Sequence, residues 1–472
     1  MASMLSNLLS VTEFAQRLSA AGYPAAEVDA WRAACPVGVA DIRGDTERYG
    51  DFWSRSAALL ERLPQKPARN ATELELATQL CRLACAVRER YLRAHVAAVY
   101  DALTAGRTRH LRVEDLCYAA AESYPGLVPR RDDVEAEGRL RQSDKEGIEI
   151  DQGLFIAHVL ADETAGRHLL HSMLLPREDA LAMAGDFARS GVAEFPGARV
   201  ERRGKAALVA LSNPRTLNAE DGTTLDGLEM AIDLALLDAA SEICVLRGGR
   251  VTHAKHAGRR VFGAGINLTH LYQGKIPFLW YLTRDLGPVN KLYRGLAGAE
   301  DPDLELAGRS IDKLWIAAVD AFAIGGACQI LLAMDYTIAA ADAYLTLPAR
   351  KEGIIPGAAN LRLPRFVGNR LARQAILFER RIDCDSGEGR LICDRIVPPA
   401  DMDAAIDAAI GGLTSSGVVS AAGNRRALRV AEEPLDDFRR YMSVYAREQA
   451  WCHFSPALID NLERNWDAKR RV

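Results

Sequence analysis

The sequence lacks the signatures of most oxygen- and nucleotide-handling proteins. None of its nine histidines is followed two residues later by an acid, a pattern common in non-haem iron sites. His168 with His171, and His253 with His256, share an i,i+3 spacing that reads as structural, so no metal is expected. The stretch Gly263-Ala264-Gly265-Ile266-Asn267-Leu268 misses the third glycine of a dinucleotide fingerprint. No Gly-x-Ser-x-Gly elbow and no Walker loop occur, which argues against serine-hydrolase and P-loop chemistry. The nine cysteines are scattered without a Cys-x-x-Cys pair and predict buried free thiols in a reduced, cytoplasmic protein. A net charge of −4 offers no footprint for nucleic acid. No run of about 18 apolar residues is present, so no membrane span is expected. The most apolar candidate, 231–246, is broken by Asp233, Asp238 and Glu242.

What remains is a chain of 472 residues with ordinary globular composition, long enough for two or three domains. Residues 1 to about 195 read as helical. Leu76, Leu80, Leu83, Val87 and Tyr91 recur at helical spacing, and alanine is abundant. The texture changes near Phe195-Pro196-Gly197. Short apolar strands over 206–211, 242–247, 314–319 and 336–340 then alternate with helices at about 223–239 and 330–334. This alternation predicts an α/β core with right-handed crossovers. From about Arg365 the pattern reads as helical to the end.

Two small-residue loops punctuate the β-rich part, sixty residues apart: Gly263 to Leu268, and Ala323-Ile324-Gly325-Gly326-Ala327-Cys328-Gln329. Small residues let a backbone approach a ligand and leave its N–H groups bare. Two such loops facing each other aim two donors at one oxygen. That is an oxyanion hole, which stabilises charge developing on a carbonyl and points to enolate or acyl chemistry.

Four segments together resemble the crotonase (enoyl-CoA hydratase/isomerase) superfamily. They are Asn213-Pro214-Arg215-Thr216-Leu217-Asn218-Ala219, the loop at Ala264-Gly265-Ile266-Asn267, the loop 323–329 followed by Ala333-Met334-Asp335, and Leu347-Pro348 through Gly353-Ile354-Ile355-Pro356-Gly357. The resemblance implies an α/β fold: a β-β-α superhelix core over 198–398, after a helical N-terminal domain (1–197) and before C-terminal oligomerisation helices (399–472). It places Gln329 and Ala349 where a hydratase of the family carries its two glutamates. Neither can move the proton of a water, so hydration by the family's route is not expected. The helical N-terminal extension, the insert 272–307 with Arg284-Asp285-Leu286-Gly287, and the two lost acids resemble a metal-free dioxygenase branch. Enzymes of that branch act on an arylacetyl-CoA, (3,5-dihydroxyphenyl)acetyl-CoA, in glycopeptide-antibiotic assembly. The resemblance implies a trimer or dimer of trimers, no cofactor, and an acyl-CoA thioester and O2 as substrates.

By motif position, the amides of Ile266 and Gly326 are expected to form the oxyanion hole. Glu220 lies where the family's first helix meets the acyl pocket and is expected to bind a phenolic hydroxyl or take a proton; a helix N-terminal acid is the plainer reading. Arg284 is read either as a partner for a phenolate or as an ion pair with Asp285. Gln329, a neutral amide, would not repel a carbanion. Ile354, Ile324 and Ala349 are candidate walls of a dry O2 pocket. Arg215, the locally basic His253-Ala254-Lys255-His256, and Ala264, Gly265 and Asn267 are candidates for holding CoA. Two other readings stay open: an acyl-CoA thioesterase using the same amides, and a non-catalytic acyl-CoA-binding scaffold.

Overall fold

The computed structural model describes residues 9–300, 310–415 and 417–471. The first eight residues of the helical region and the last part of the insert, 301–307, lie outside the described residues. The N-terminal part is helical because its caps and apolar spacing agree. Asn70 accepts the Glu73 amide, and the Glu73 carboxylate returns a bond to the Asn70 amide at 2.8 Å. This pair starts α1 (Ala71–Leu103), whose Leu76, Leu80, Leu83, Val87 and Tyr91 are all buried, as the spacing predicts. A second core helix, α2 (Ile150–Ala161), is buried from Gln152 to Leu160.

Ten strands follow: β1 (Val192–Phe195), β2 (Gly197–Arg203), β3 (Ala206–Ser212), β4 (Ile243–Gly248), β5 (Leu314–Val319), β6 (Phe322–Ile324), β7 (Tyr336–Ala340), β8 (Tyr344–Thr346), β9 (Ile382–Asp383) and β10 (Arg395–Val397). Seven form one sheet in the order β1-β2-β3-β4-β5-β7-β10, and β6-β8-β9 form another. The first three strands are antiparallel; β4, β5, β7 and β10 then add in parallel. Residues 243–246 and 315–319 are buried without alternation, as expected of parallel strands covered on both faces. The helix α3 (Leu225–Leu237) follows β3 and packs on β2 and β3.

Three readings of local structure are corrected. The helical stretch ends at Ser190, not 195, because 192–195 pairs with 198–201 as a half-exposed hairpin strand too short to show its period. The helix expected at 330–334 starts earlier, at Gly326, and forms α5 (Gly326–Leu331). The C-terminal part is not wholly helical, since β9 and β10, two and three residues long, exist through pairing with β8 and β7. Such strands carry no periodic signal.

Four further helices frame the site: α4 (Leu279–Leu286), α6 (Ala349–Glu352), α7 (Leu435–His453) and α8 (Pro456–Trp466). The last turns of α7 lie on α2 so closely that a Cβ at Gly153 would come within 2.5 Å of the Ala450 methyl. The N-terminal helices, α4 and the helices after 435 therefore share one apolar core, and the sheet holds a second. Among the described residues, no single helix is long and apolar enough to cross a membrane.

Candidate active site

The two small-residue loops meet. Gly263 pairs with Ala323 as an isolated parallel bridge, with the Ile324 amide donating to Gly263 O at 3.0 Å. One turn on, Glu220 pairs with Ile266. The Glu220 amide donates to Gly265 O at 2.7 Å and the Asn267 amide donates to Glu220 O at 2.8 Å. Both bonds leave from the residues flanking Ile266, so the Ile266 N–H points to the opposite side. Gly326 opens α5, where a helix has no internal acceptor for its first amides. Among the described residues neither N–H has a backbone acceptor. Gly265 has φ +77°, and a Cβ there would lie 2.9 Å from Gly326 N, so the loops touch at this point.

Behind these amides sits a buried ion cluster. Arg284, 2% exposed, comes from α4. Its Nε and Nη2 donate to the two carboxylate oxygens of Glu220 at 2.6 and 3.0 Å. Its Nη1 reaches Asp285 Oδ1 at 2.6 Å and Gln329 Oε1 at 2.9 Å, and Nη2 also donates to Gly326 O at 2.8 Å. Burial works against the guanidinium charge, but Glu220 and Asp285 outweigh it and keep the group protonated. Burial raises the Asp285 carboxyl, with Arg284 and a bond from Tyr445 opposing. Thus Glu220, Arg284, Gln329 and Gly326, far apart in sequence, form one unit. Arg284 does pair with Asp285, but inside the protein rather than at its surface. Glu220 has a buried cation as its partner.

Two cavities lie here and share Ile266 and Glu352 in their walls. The smaller, about 20 Å³, has room for roughly one water-sized molecule and is lined by Ile266, Gly326, Gln329, Ala349, Ile354 and Tyr281, with Arg284 and Glu352. The larger, about 390 Å³, runs past Arg215, His253, Ala264, Asn267 and Ile324 to α8 and Arg471. Of the sixteen expected site residues, Ala349 and Ile354 lie together on the small cavity. Ile324 lines the large one. Ala254, Lys255 and His256 flank His253 but do not line either cavity.

Sequence reasoning missed Glu352, Tyr281, Tyr445, Trp466 and Arg471. Glu352 stands one helical turn after Ala349 in α6, an i,i+3 spacing that puts both on one face. That spacing was the available signal. Burial raises the Glu352 carboxyl to about 7, with the neighbouring Glu379 charge adding to the effect. Among the described residues, no group of three or more His, Cys, Asp or Glu side chains is arranged to hold a metal ion.

Comparisons with known proteins fit this picture. Residues 201–420 match the family model described as enoyl-CoA hydratase/isomerase. The chain is 49% identical over 393 residues to a (3,5-dihydroxyphenyl)acetyl-CoA 1,2-dioxygenase of Amycolatopsis orientalis, covering 83% of this chain and 89% of that protein. It is 29% identical over 205 residues to a short-chain-enoyl-CoA hydratase of Clostridium acetobutylicum, covering 43% of this chain and 69% of that protein. A crystal structure of an enoyl-CoA hydratase from Mycobacterium avium subsp. paratuberculosis K-10 aligns with a TM-score of 0.47 at 20% identity, over 57% of this chain and 98% of that one.

Proposed function

The chain belongs to the crotonase (enoyl-CoA hydratase/isomerase) family, and from that premise we propose that it is a dioxygenase acting on an arylacetyl-CoA thioester. The substrate is (3,5-dihydroxyphenyl)acetyl-CoA, as the name of its 49%-identical relative states for that protein. The observation that carries the reading is the pair of free amides at Ile266 and Gly326 with neutral Gln329 and alanine at 349 beside them. Enolate-holding donors are present, and the hydratase acids are absent.

The chemistry then follows from the substrate. Loss of an α-proton leaves a carbanion delocalised into the thioester and the electron-rich ring. The amides of Ile266 and Gly326 hold the thioester oxygen as its charge grows; one donor of this kind is worth roughly 3 kcal/mol of barrier. The carbanion transfers one electron to O2, and the radical pair joins at Cα. The peroxide oxygen attacks the thioester carbonyl and CoA leaves as the thiolate. Cleavage of the O–O bond with loss of the remaining α-proton leaves the 2-oxo acid. One arylacetyl-CoA and one O2 thus give one arylglyoxylate and one CoA, with the electrons for O–O cleavage coming from the two C–H bonds. No step requires an external reductant, which supports a reaction without metal or organic cofactor.

Arg284, fixed by Glu220 and Asp285, orients the phenolic end, and Gln329 offers its NH2 because its oxygen is already bonded to Arg284. Arg215, His253, Ala264 and Asn267 hold CoA along the large cavity, Gly265 shapes the loop between Ala264 and Ile266, and Lys255, next to Ala254 and His256, adds positive charge. Ile354 and Ala349 form the apolar wall of the small cavity, where O2 is placed, and Ile324 lies on the large cavity. We assign the protein to the cytoplasm, to antibiotic biosynthesis, and to a trimer or dimer of trimers. Exposed Phe378, Val419 and Leu428 provide apolar area for subunit contact.

Metal-stripped protein incubated with this thioester is expected to consume O2. Absence of uptake by folded protein would end the reading, and CoA release under argon at a comparable rate would favour the thioesterase instead. Ile354→Thr is expected to raise the O2 concentration for half-maximal rate several-fold, because a hydroxyl replaces part of the cavity's apolar wall and gives a competing water one more partner. The check is turnover against O2 concentration; an unchanged dependence removes Ile354 from the O2 site.

A further inference from the structure

We propose that Glu352 is the general base that takes the α-proton from the bound thioester; this rests on the proposed function above and adds the residue that begins the reaction. Ile266 and Glu352 are the two residues that line both cavities. A thioester that lies with CoA in the large cavity and its acyl carbons toward the small one passes both residues. If the Ile266 amide holds the carbonyl oxygen, the adjacent Cα lies at the same junction. Glu352, the other residue shared by the two cavities, is a proton-accepting group at that junction.

Other carboxylates of the site are already occupied. Both oxygens of Glu220 accept from Arg284. Asp285 accepts from Arg284 and Tyr445, and its second oxygen faces Gly357, where a Cβ would approach within 1.8 Å. Among the described residues Glu352 has no ion-pair partner. Its neighbours Arg350 and Lys351 both turn to Glu379, at 2.9 and 2.6 Å. Glu352 is thus a carboxylate without a counter-ion at the meeting point of the cavities.

The groups around it set its titration. Glu379 repels its charge, and Arg350 and Lys351 are held on Glu379. Tyr281 of α4, Arg284, Asp285 and Tyr445 line the small cavity with it. Arg215, His253 and Arg471 line the large one. Burial and Glu379 together raise the carboxyl to about 7, which suits a base that must be charged before reaction and neutral after it. Proton transfer breaks the Cα–H bond and forms a carboxyl O–H bond, and the electron pair moves onto the thioester oxygen.

The position also explains a departure from the family's hydratases. Alanine stands at 349, where they place an acid, and an acid stands three residues later on the same face of α6.

The test is deuterium wash-in to the α-carbon of (3,5-dihydroxyphenyl)acetyl-CoA in heavy water under argon, read by mass spectrometry. Wild-type protein is expected to exchange, with a rate that rises with pH through about 7. Glu352→Gln, which mimics the protonated form, is expected to slow exchange about a hundredfold and to lose that pH limb, with CoA affinity within a few-fold of wild type. Glu352→Ala is expected to recover exchange on addition of acetate, which a merely structural role would not allow. Exchange by Glu352→Gln at the wild-type rate, or absence of acetate rescue, overturns the assignment. The proposed function fails separately, if wild-type protein exchanges the α-proton and yet consumes no O2.

Discussion

Gly326→Ala is expected to lower turnover on the order of 10³-fold, at the upper end of what loss of one oxyanion donor costs. The reason is geometric. A Cβ on residue 326 would stand 2.5 Å from Glu220 Oε1 and 3.0 Å from Arg284 Nη2, so the first turn of α5 must shift. Neither neighbour can yield, because the two side chains are locked to each other by a double hydrogen bond. The amide of residue 326 therefore leaves the place where it meets the thioester oxygen. CoA binds along the other cavity, and its affinity is expected to stay within a few-fold. Single-turnover measurement of thioester consumption beside calorimetry of CoA binding separates the two effects. Equal losses in both would place the defect in the fold and not in the oxyanion hole.

Arg284→Met is expected to destabilise the protein by about 3–5 kcal/mol and to abolish measurable turnover. The Arg284 side chain is 3% exposed and is the shared partner of Glu220 and Asp285. Without it, two buried carboxylates are left with no counter-ion. Gln329 loses the bond that fixes its amide, and Gly326 O loses its donor. Adding Glu220→Gln to the variant removes one of the stranded charges and is expected to restore part of the stability without restoring activity. Chemical denaturation of the two variants and of wild type checks this. A double variant no more stable than the single one would contradict the account of the cluster.

The site was legible in the sequence in unequal parts. The two small-residue loops stood out because a close backbone approach demands glycine, and their contact at Gly265 and Gly326 is what that composition predicted. Strands 314–319 and 336–340 were legible as apolar runs of the length a buried parallel strand requires. The convergence of Glu220, Arg284 and Gln329 had no local signal: 64 residues separate the first pair and 45 the second. Only the resemblance to a family brought them together. Glu352 was hidden by its surroundings. In Ala349-Arg350-Lys351-Glu352 an acid beside two cations reads as a solvated surface turn, and only the fold shows that Glu379 draws both cations away. The short strands β9 and β10 exist through partners distant in sequence, so no window of the chain could reveal them. The shared core of α2 and α7 likewise arises from helices nearly three hundred residues apart, matched through Gly153 and Ala450.

The central claim is that an enolate held by the amides of Ile266 and Gly326 reduces O2 without help from a redox group. The measurement that meets it most directly is turnover of (3,5-dihydroxyphenyl)acetyl-CoA by chelator-treated, cofactor-free protein under heavy-isotope O2. The expected result is one O2 consumed per CoA released, with both labelled oxygen atoms in the 2-oxo acid, one on the new ketone and one in the carboxylate. Activity that returns only with stoichiometric iron or flavin, or a carboxylate oxygen drawn from water, would contradict the claim.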